Sequence, residues 1–486
     1  MSKPEAAGAA RPVNPGLILL VASGATFVAF LDTTVVNVAF DEVHQSFAGE
    51  PISNMTWLVT AYGVLFAALL TMAGRLADVT GRKRLFQLSV GLFTAASALA
   101  MAAPGYGVLV VARALQGMGA AGMIPAALGL ILFNTPAERR AAAIGSWGAA
   151  GSLAAAVAPV LGAGLVEALG WRAIFAINLP FGLLMLFGTS RAVHTDEPTG
   201  RPLPDPVGTA AFTVGIAAVV LGLSQGESWG WTSAGVLAAL IGGALLTLLA
   251  VVLSARAEEG KGRTAALEVD LYRNRRFALS GAGSAFLGAA LYTWLLSGPI
   301  FLATYWHYSI MEIGLAVTPG ALTSAVSAIV VGRRIKPQAQ GMAVLIGSLL
   351  FAAVCGVMAL TLDEQPAFLA VWLWVSIFGG LGVGAALTGL TAISASAVPP
   401  LRFSAGTALT LTARQLGGSV GIAVMAILLS ATGKDPLHQM LLVFGLSGAT
   451  ALVAALCGLL LHTAAKPAPA PAAAAPTAAR TPAGKD

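Results

Sequence analysis

The sequence predicts an all-α membrane protein with fourteen spanning helices, on three observations. Hydrophobic residues make up 57% of the 486 and charged residues only 10%, against roughly 25% charged in ordinary soluble domains. The apolar residues gather into fourteen stretches of about the 20 residues that a hydrocarbon layer ~30 Å thick demands of a helix. Lysine and arginine collect in alternate loops between those stretches, the pattern of proteins whose cytoplasmic loops hold the positive excess.

Taken in order, the first stretch, 16–39, follows Lys3 and Arg11 in the manner of a signal peptide. It is too long for a signal's apolar core and has no clear cleavage site, so it reads as an uncleaved first helix. Stretches 55–76, 85–104, 107–132, 141–165 and 171–191 complete a first group of six. A pair, 207–225 and 233–255, follows, with no charge inside either and little polarity. The basic loop 256–276 then leads into 277–302, 313–331, 341–361, 367–390, 405–430 and 439–462. The second helix of the first six ends in Gly74-Arg75-Leu76 and the second helix of the last six in Gly332-Arg333-Arg334. That echo predicts two six-helix bundles of the same sense with helices seven and eight inserted between them. In membrane proteins built from repeats, the ligand site lies where the halves meet. The expected division is a cytoplasmic N-terminal tail at 1–15, a first bundle at 16–191, loops and the inserted pair at 192–276, a second bundle at 277–462, and an Ala/Pro-rich tail at 463–486. The last of these cannot bury a core and is expected to be disordered.

Orientation follows from the charges. With the N-terminus inside, nearly all of the 27 basic residues are cytoplasmic, among them Arg82, Lys83, Arg84, Arg139, Arg140, Arg273, Arg275, Arg276, Arg333, Arg334 and Lys336. Arg172 and Lys434 fall outside, and Arg113 and Arg414 lie within spans. Both termini are therefore expected in the cytoplasm. Asp41, Glu42, Glu50, Asp363, Glu364 and Asp435 fall in outer loops, and Trp57, Trp171, Trp229, Trp231 and Trp306 fall near the outer interface, where indoles anchor. Trp294, Trp372 and Trp374 lie deeper, and Trp294 and Trp374 are candidates for lining a cavity.

The remaining composition narrows the classes. The net charge of +6 argues for nucleic acid only where basic residues form a stripe on a soluble face, and here they follow membrane topology. The 57 glycines are scattered through apolar stretches without a period of three, which fits close helix packing in lipid. Cys355 and Cys457 lie far apart with no His or acid nearby, so they read as filler rather than as a disulfide or metal site.

An ionisable residue inside a membrane helix is costly and needs a reason. Asp32 lies in helix one, about 12 Å from its outer end at 1.5 Å per residue, and Arg113 in helix four at about 9 Å. An acid and a base at one depth can pair. Burial raises a carboxylate's proton affinity and a nearby guanidinium lowers it, so relative movement of the two would switch protonation. Asp32 and Arg113 are therefore the expected proton-coupling pair, as against a static bridge that only joins two helices. Asn37 and Gln116 could complete a polar network and are further cavity candidates. Arg414 in helix thirteen has no acidic partner evident in the sequence, and its role stays open.

Several motifs then resemble one family. Gly74-Arg-Leu-Ala-Asp78-Val-Thr-Gly81-Arg82-Lys83-Arg84 resembles the loop between helices two and three of the major facilitator superfamily. Leu109-Val-Val-Ala-Arg113-Ala-Leu-Gln116-Gly117-Met-Gly119-Ala-Ala121 resembles the helix-four motif of its proton-driven exporters. Leu31-Asp32-Thr33-Thr34-Val-Val-Asn37-Val-Ala39, Trp57-Leu-Val-Thr-Ala-Tyr62 and Trp171-Arg172-Ala-Ile-Phe175-Ala-Ile-Asn178-Leu-Pro180 are similar to motifs of the fourteen-helix drug-proton antiporters. The likeness covers 16–462. It implies the major facilitator fold and a proton-coupled exporter of a small amphipathic compound such as a drug or antibiotic. A proton-coupled importer of a nutrient or metabolite on the same fold is the alternative. It also implies a conformational latch at Gly74, Asp78, Gly81 and Arg82, which suits an acid facing a helix N-terminus. The antiporter motif of helix five is met by Ala158-Pro159 and Gly162-Ala163 where Gly-Pro and Gly-Gly are usual, so Pro159 and Gly162 are expected to pack helices closely. Phe40 stands where the helix-one motif ends in Pro, Val79 where Arg is usual, and the second half has no acid matching Asp78.

An enzyme is not expected, since there is no Gly-x4-Gly-Lys-Ser/Thr loop, no clustered metal ligands and only 5 scattered histidines. Neither a cofactor nor a metal is implied. The expected partners are a small-molecule substrate, protons and the bilayer of the cell membrane, without nucleic acid. With no further acid at membrane depth in helices nine to fourteen, neutral, monocationic or weakly acidic amphipathic substrates are favoured, in a mostly apolar cavity.

Overall fold

The computed structural model describes residues 14–192, 202–259, 265–430 and 435–464. Most of both expected tails, and 260–264 of the basic loop, lie outside the described residues. Among the described residues, fourteen helical spans are long and apolar enough to cross a membrane, some with a short helical lead-in, and each is named by its main helix. They are α1 (Pro15–Val38), α2 (Trp57–Thr80), α3 (Arg82–Met101), α4 (Tyr106–Phe133), α5 (Arg140–Leu169), α6 (Asn178–Ala192), α7 (Pro206–Trp229), α8 (Ala234–Glu259), α9 (Arg275–Thr304), α10 (Ile310–Arg334), α11 (Gln340–Thr361), α12 (Leu373–Ser396), α13 (Phe403–Leu429) and α14 (Pro436–Thr463).

Helix starts are written in local chemistry. The side chains of Asn14, Asp205 and Asp435 each accept a first-turn N–H, and a proline follows each of them. Proline costs nothing there because its missing N–H would have no helical partner, while the cap satisfies one that would otherwise be orphaned. Ser309 and Glu312 form a reciprocal capping box at α10.

One boundary departs from the sequence expectation for a functional reason. The apolar run of the second helix stops at 76, but α2 continues to Thr80. Its last turns stay helical because Arg75 and Asp78 are buried in ion pairs, so the latch motif begins inside a helix, not in a loop. Gly81 then breaks the chain at φ 106, a left-handed geometry that glycine adopts without a Cβ clash.

The two halves repeat one packing scheme. In the first, α2 and α3 pack on α4, α5 and α6 on α1, and α6 on α3; in the second, α10 and α11 pack on α12, α13 and α14 on α9, and α14 on α11. The halves join through α5 against α10 and through α2 against α13, each position-five helix meeting the other half's position-two helix. The inserted α7 lies on that second seam, against α2 and α13, and α8 packs mainly on α7. Leu237, Ile241, Leu245 and Leu248 form an exposed apolar stripe on α8, the face a lipid solvent requires. By contrast α4 is buried almost all round. Gly117 allows this: a Cβ there would lie 2.4 Å from the Tyr62 carbonyl oxygen on α2.

The outer tryptophans are not uniform anchors. Trp229 is exposed, but Trp171 and Trp306 are buried, with indole N–H groups donated to Ser46 Oγ and the Asp363 carbonyl. They pack the ends of the bundle inward because each indole finds an acceptor on a neighbouring loop. Cys355 and Cys457 are both buried and free.

Candidate functional site

The first bundle holds one closed polar cluster. Asp32 on α1 and Arg113 on α4 meet at 2.5 Å, each about 1% exposed. Arg113 also donates through Nε to the Leu58 carbonyl at 2.9 Å and through Nη1 to Gln116 Oε1 at 2.8 Å. The other Asp32 oxygen accepts from Gln116 Nε2 at 3.0 Å and Asn178 Nδ2 at 2.8 Å. Ser97 Oγ accepts from the same two amides. Aromatic faces of Tyr62 and Phe175 lie 4.6 and 5.9 Å from the guanidinium carbon. Three helices, α1, α4 and α6, thus bring together an acid, a base and two amides in a buried cluster, and α3 and α2 add Ser97 and the Leu58 carbonyl.

Asn178 and Ser97 are the members that sequence reasoning missed. A polar residue at the mouth of an apolar run was the available signal for Asn178, which takes the place expected for Asn37. Asn37 is exposed on α1 and has no part in the cluster as described.

Between the halves lies a cavity of about 190 Å³, walled by α1, α5, α9, α10, α12 with its lead-in turn, and α13. Its walls are mostly apolar or small, with Phe30, Trp147, Trp294 and Trp372 supplying the large faces. Neither α7 nor α8 contributes to it. Of the four cavity candidates, Trp294 lines it. Gln116 does not, because it is fully buried beside Asp32, and Trp374 does not, because its side chain points outward and is 53% exposed. The helical period separates the tryptophans: Trp372, two residues earlier, faces inward. Arg414 is the cavity's charged lining residue.

At the basic end the halves are clasped. Asp78 on α2 accepts from the backbone N–H groups of Ser404 and Ala405, at 3.3 and 2.8 Å, at the start of α13. Arg82 donates to Asp78 Oδ1 at 2.7 Å and to the Pro400 carbonyl at 2.9 Å, so one arginine grips both halves. Gly74 touches the same turn, where a Cβ would fall 2.5 Å from the Ser404 carbonyl oxygen. Gly332 meets Ala141 and Gly145 at the other seam. Pro159 packs on Gly314, and Gly162 on Val35. A second ion cluster stands beside the clasp. Glu268, 4% exposed, pairs with Arg75 at 2.5 Å and Arg402 at 2.9 Å, and Arg402 also pairs with Asp270. The sequence offered a signal for it, since Glu268 and Asp270 are acids in a basic loop, the same anomaly that marks Asp78. What the second half lacks in its own loop is thus supplied by the segment leading into α9.

Comparisons with known proteins agree with this architecture. The Major Facilitator Superfamily model matches residues 22–209. The chain is 32% identical to the multidrug resistance protein Stp of Mycobacterium tuberculosis, covering 85% of this chain and 76% of that protein. It is 34% identical to the puromycin resistance protein pur8 of Streptomyces alboniger, over 84% and 80% of the two chains. To the probable actinorhodin transporter of Streptomyces coelicolor it is 33% identical, over 83% and 71%. Among solved structures, the human organic anion transporter MFSD10 (TETRAN) superposes with a TM-score of 0.66 at 15% identity, covering 92% of this chain and all of that one. At that identity the likeness is one of fold.

Proposed function

The chain belongs to the major facilitator superfamily, and on that premise we propose that it is a proton-coupled exporter of small amphipathic compounds of the drug or antibiotic type. It is a multi-pass membrane transporter and not an enzyme. We place it in the cell membrane with both termini and the basic loops in the cytoplasm, with bundles at 16–191 and 277–462 moving about the cavity.

The observation that carries the coupling is the Asp32–Arg113 pair, sealed from water and braced by Gln116 and Asn178. A proton added to Asp32 abolishes its charge and occupies one acceptor site, so the three donors aimed at it can no longer all be met as before. Arg113 is then a buried cation without a carboxylate, which is strongly unfavourable. The relief available is movement of α1 against α4, and α1 also lines the cavity through Thr26 and Phe30. Protonation from outside is thereby tied to a change in cavity shape. Asp78 and Arg82, clasped to the start of α13, hold the basic end closed until that change; Gly81 and Gly74 let the chain turn and approach there. Pro159 and Gly162 keep α5 close against α10 and α1.

Inside-out vesicles carrying the purified protein test the reading. Members of a panel of antibiotics and dyes spanning anionic, neutral and cationic compounds should accumulate when the lumen is made acid, and accumulation should collapse with a protonophore. Loss of substrate from preloaded vesicles under the same gradient would establish import instead.

A further inference from the structure

Arg414 has no part in the coupling cluster or the clasp, yet it is placed where a transported molecule must pass. It lies eleven residues into α13, about 16 Å from the basic end at 1.5 Å per residue, near the middle of the hydrocarbon. Its side chain faces the central cavity and, beyond it, a smaller hollow walled by hydroxyls of Ser284, Thr391, Ser394, Thr407 and Thr410. No acidic residue lines either space, and Arg414 makes no ion pair among the described residues. Its Nε is buried without an acceptor. A cation held at membrane depth without a counter-charge requires a reason.

The second observation is independent of charge. Most cavity polar groups satisfy each other: Ser152 with Ser324, Ser376 with the Gly320 N–H, the Trp372 indole with the Ala316 carbonyl, and the Trp294 indole with Met358 sulfur. Two buried cavity-lining atoms are left over, Arg414 Nε and Trp147 Nε1. Both belong to groups that can only donate. The fully buried hydrogen-bonding capacity left unmet on the cavity walls is therefore all of one kind, and it asks for an acceptor. The acid that could have compensated Arg414, Asp32, is already committed to Arg113.

We propose that the central cavity selects amphipathic organic anions, a carboxylate, phenolate or sulfonate on an apolar ring system, with Arg414 binding the anionic group and Trp147 donating a further hydrogen bond. This names the substrate class of the site described above and rests on the exporter reading. A planar guanidinium suits such oxyanions because it can donate two parallel bonds, and a dry apolar wall strengthens each of them. A cationic compound of the same shape would meet an uncompensated positive charge.

The test is equilibrium binding of radiolabelled 2-naphthoate and of its cationic counterpart 2-naphthylmethylammonium to purified protein in lipid nanodiscs at pH 7, without a proton gradient. Wild type should bind the anion saturably and at least about tenfold more tightly than the cation. Arg414→Gln should weaken anion binding at least about tenfold, the loss of a charge-assisted bond. Arg414→Lys should recover part of it, and Trp147→Phe, which keeps the ring and loses the N–H, should weaken it several-fold. Elution of each variant as a monodisperse peak guards against misfolding, and the lysine variant keeps the question open to decision if the glutamine one fails that check. No saturable binding of the anion, equal binding of both probes, or unchanged anion binding in Arg414→Gln would overturn the proposal. Anion binding with no proton-driven movement of 2-naphthoate in vesicles would leave it standing and overturn the exporter reading instead.

Discussion

Asp32 accepts from three side chains on two other helices, and each of those donors has a different tolerance for its loss. Replacement by asparagine keeps the shape and removes the titrating group. Asp32→Asn should therefore lower proton-driven export at least tenfold per folded molecule, while substrate exchange without a gradient persists. Some folded protein will be lost as well, since stripping one partner from a buried pair costs about 3–5 kcal/mol. A purely structural bridge predicts that second effect alone, with transport per folded molecule unchanged, so vesicle assays normalised to folded protein separate the two. Arg113→Lys keeps the charge but cannot reach Leu58, Asp32 and Gln116 from one planar fork. Export by that variant should be impaired several-fold rather than abolished. The pairing of Asp32 with Arg113 was legible in the sequence because depth can be counted along a helix. The contribution of Asn178 was not, because its rotation about α6 and its distance from Asp32 depend on how the helices are set side by side.

At the scale of elements, the start of α13 is held across the seam by polar contacts. Asp78 caps its first N–H groups from another half of the molecule, and Arg82 binds the carbonyl just before it. A capping carboxylate contributes about 1 kcal/mol in an isolated helix, and here it also decides whether the basic end is shut. Asp78→Asn and Glu268→Gln should each loosen that end. The readout is a cysteine placed at Ser404, a fully buried position: its labelling by a small maleimide should rise in either background, and unchanged labelling in both would show that the clasp does not govern closure. Gly117→Ala addresses a different seam. Its added methyl would press on the Tyr62 carbonyl, and overpacking of this kind costs about 1–3 kcal/mol, so thermal unfolding in detergent should move to lower temperature. Small residues at these crossings could be read as packing positions from sequence, but which helix each one faces could not.

For the whole molecule, the loop charges predict one orientation, with both termini in the cytoplasm. A cysteine replacing Asp363 should react with an impermeant maleimide in intact cells, and one replacing Lys336 should react only after permeabilisation; both positions are exposed. The reverse pattern would invert the topology and with it the reading of transport direction. The packing scheme shared by the halves also explains where the cavity must be. The halves meet chiefly through α5 with α10 and α2 with α13, so the space left between these seams is lined by α1, α9 and their neighbours. The inserted pair covers one seam from outside, consistent with its lack of charge and with the exposed stripe on α8.

The sequence alone determined the number of spans and the residues too costly to be incidental, because hydropathy and the price of a buried ion are properties of a segment and need no partner. It also marked Asp78 and Arg82, whose place at a helix end is local. Tertiary structure decided the rest. The ordering of the Asp32 cluster through Asn178, the service of Glu268 to Arg75 and Arg402, the outward turn of Trp374 and the inward turn of Trp372, and the exposure of Arg414 to an acid-free cavity all depend on rotation of helices about their axes and on contacts between residues far apart in the chain. In lipid an apolar face gains little by choosing a protein neighbour over a tail, so the hydrophobic pattern fixes that a helix spans and leaves its facing to packing, which only the assembled bundle settles.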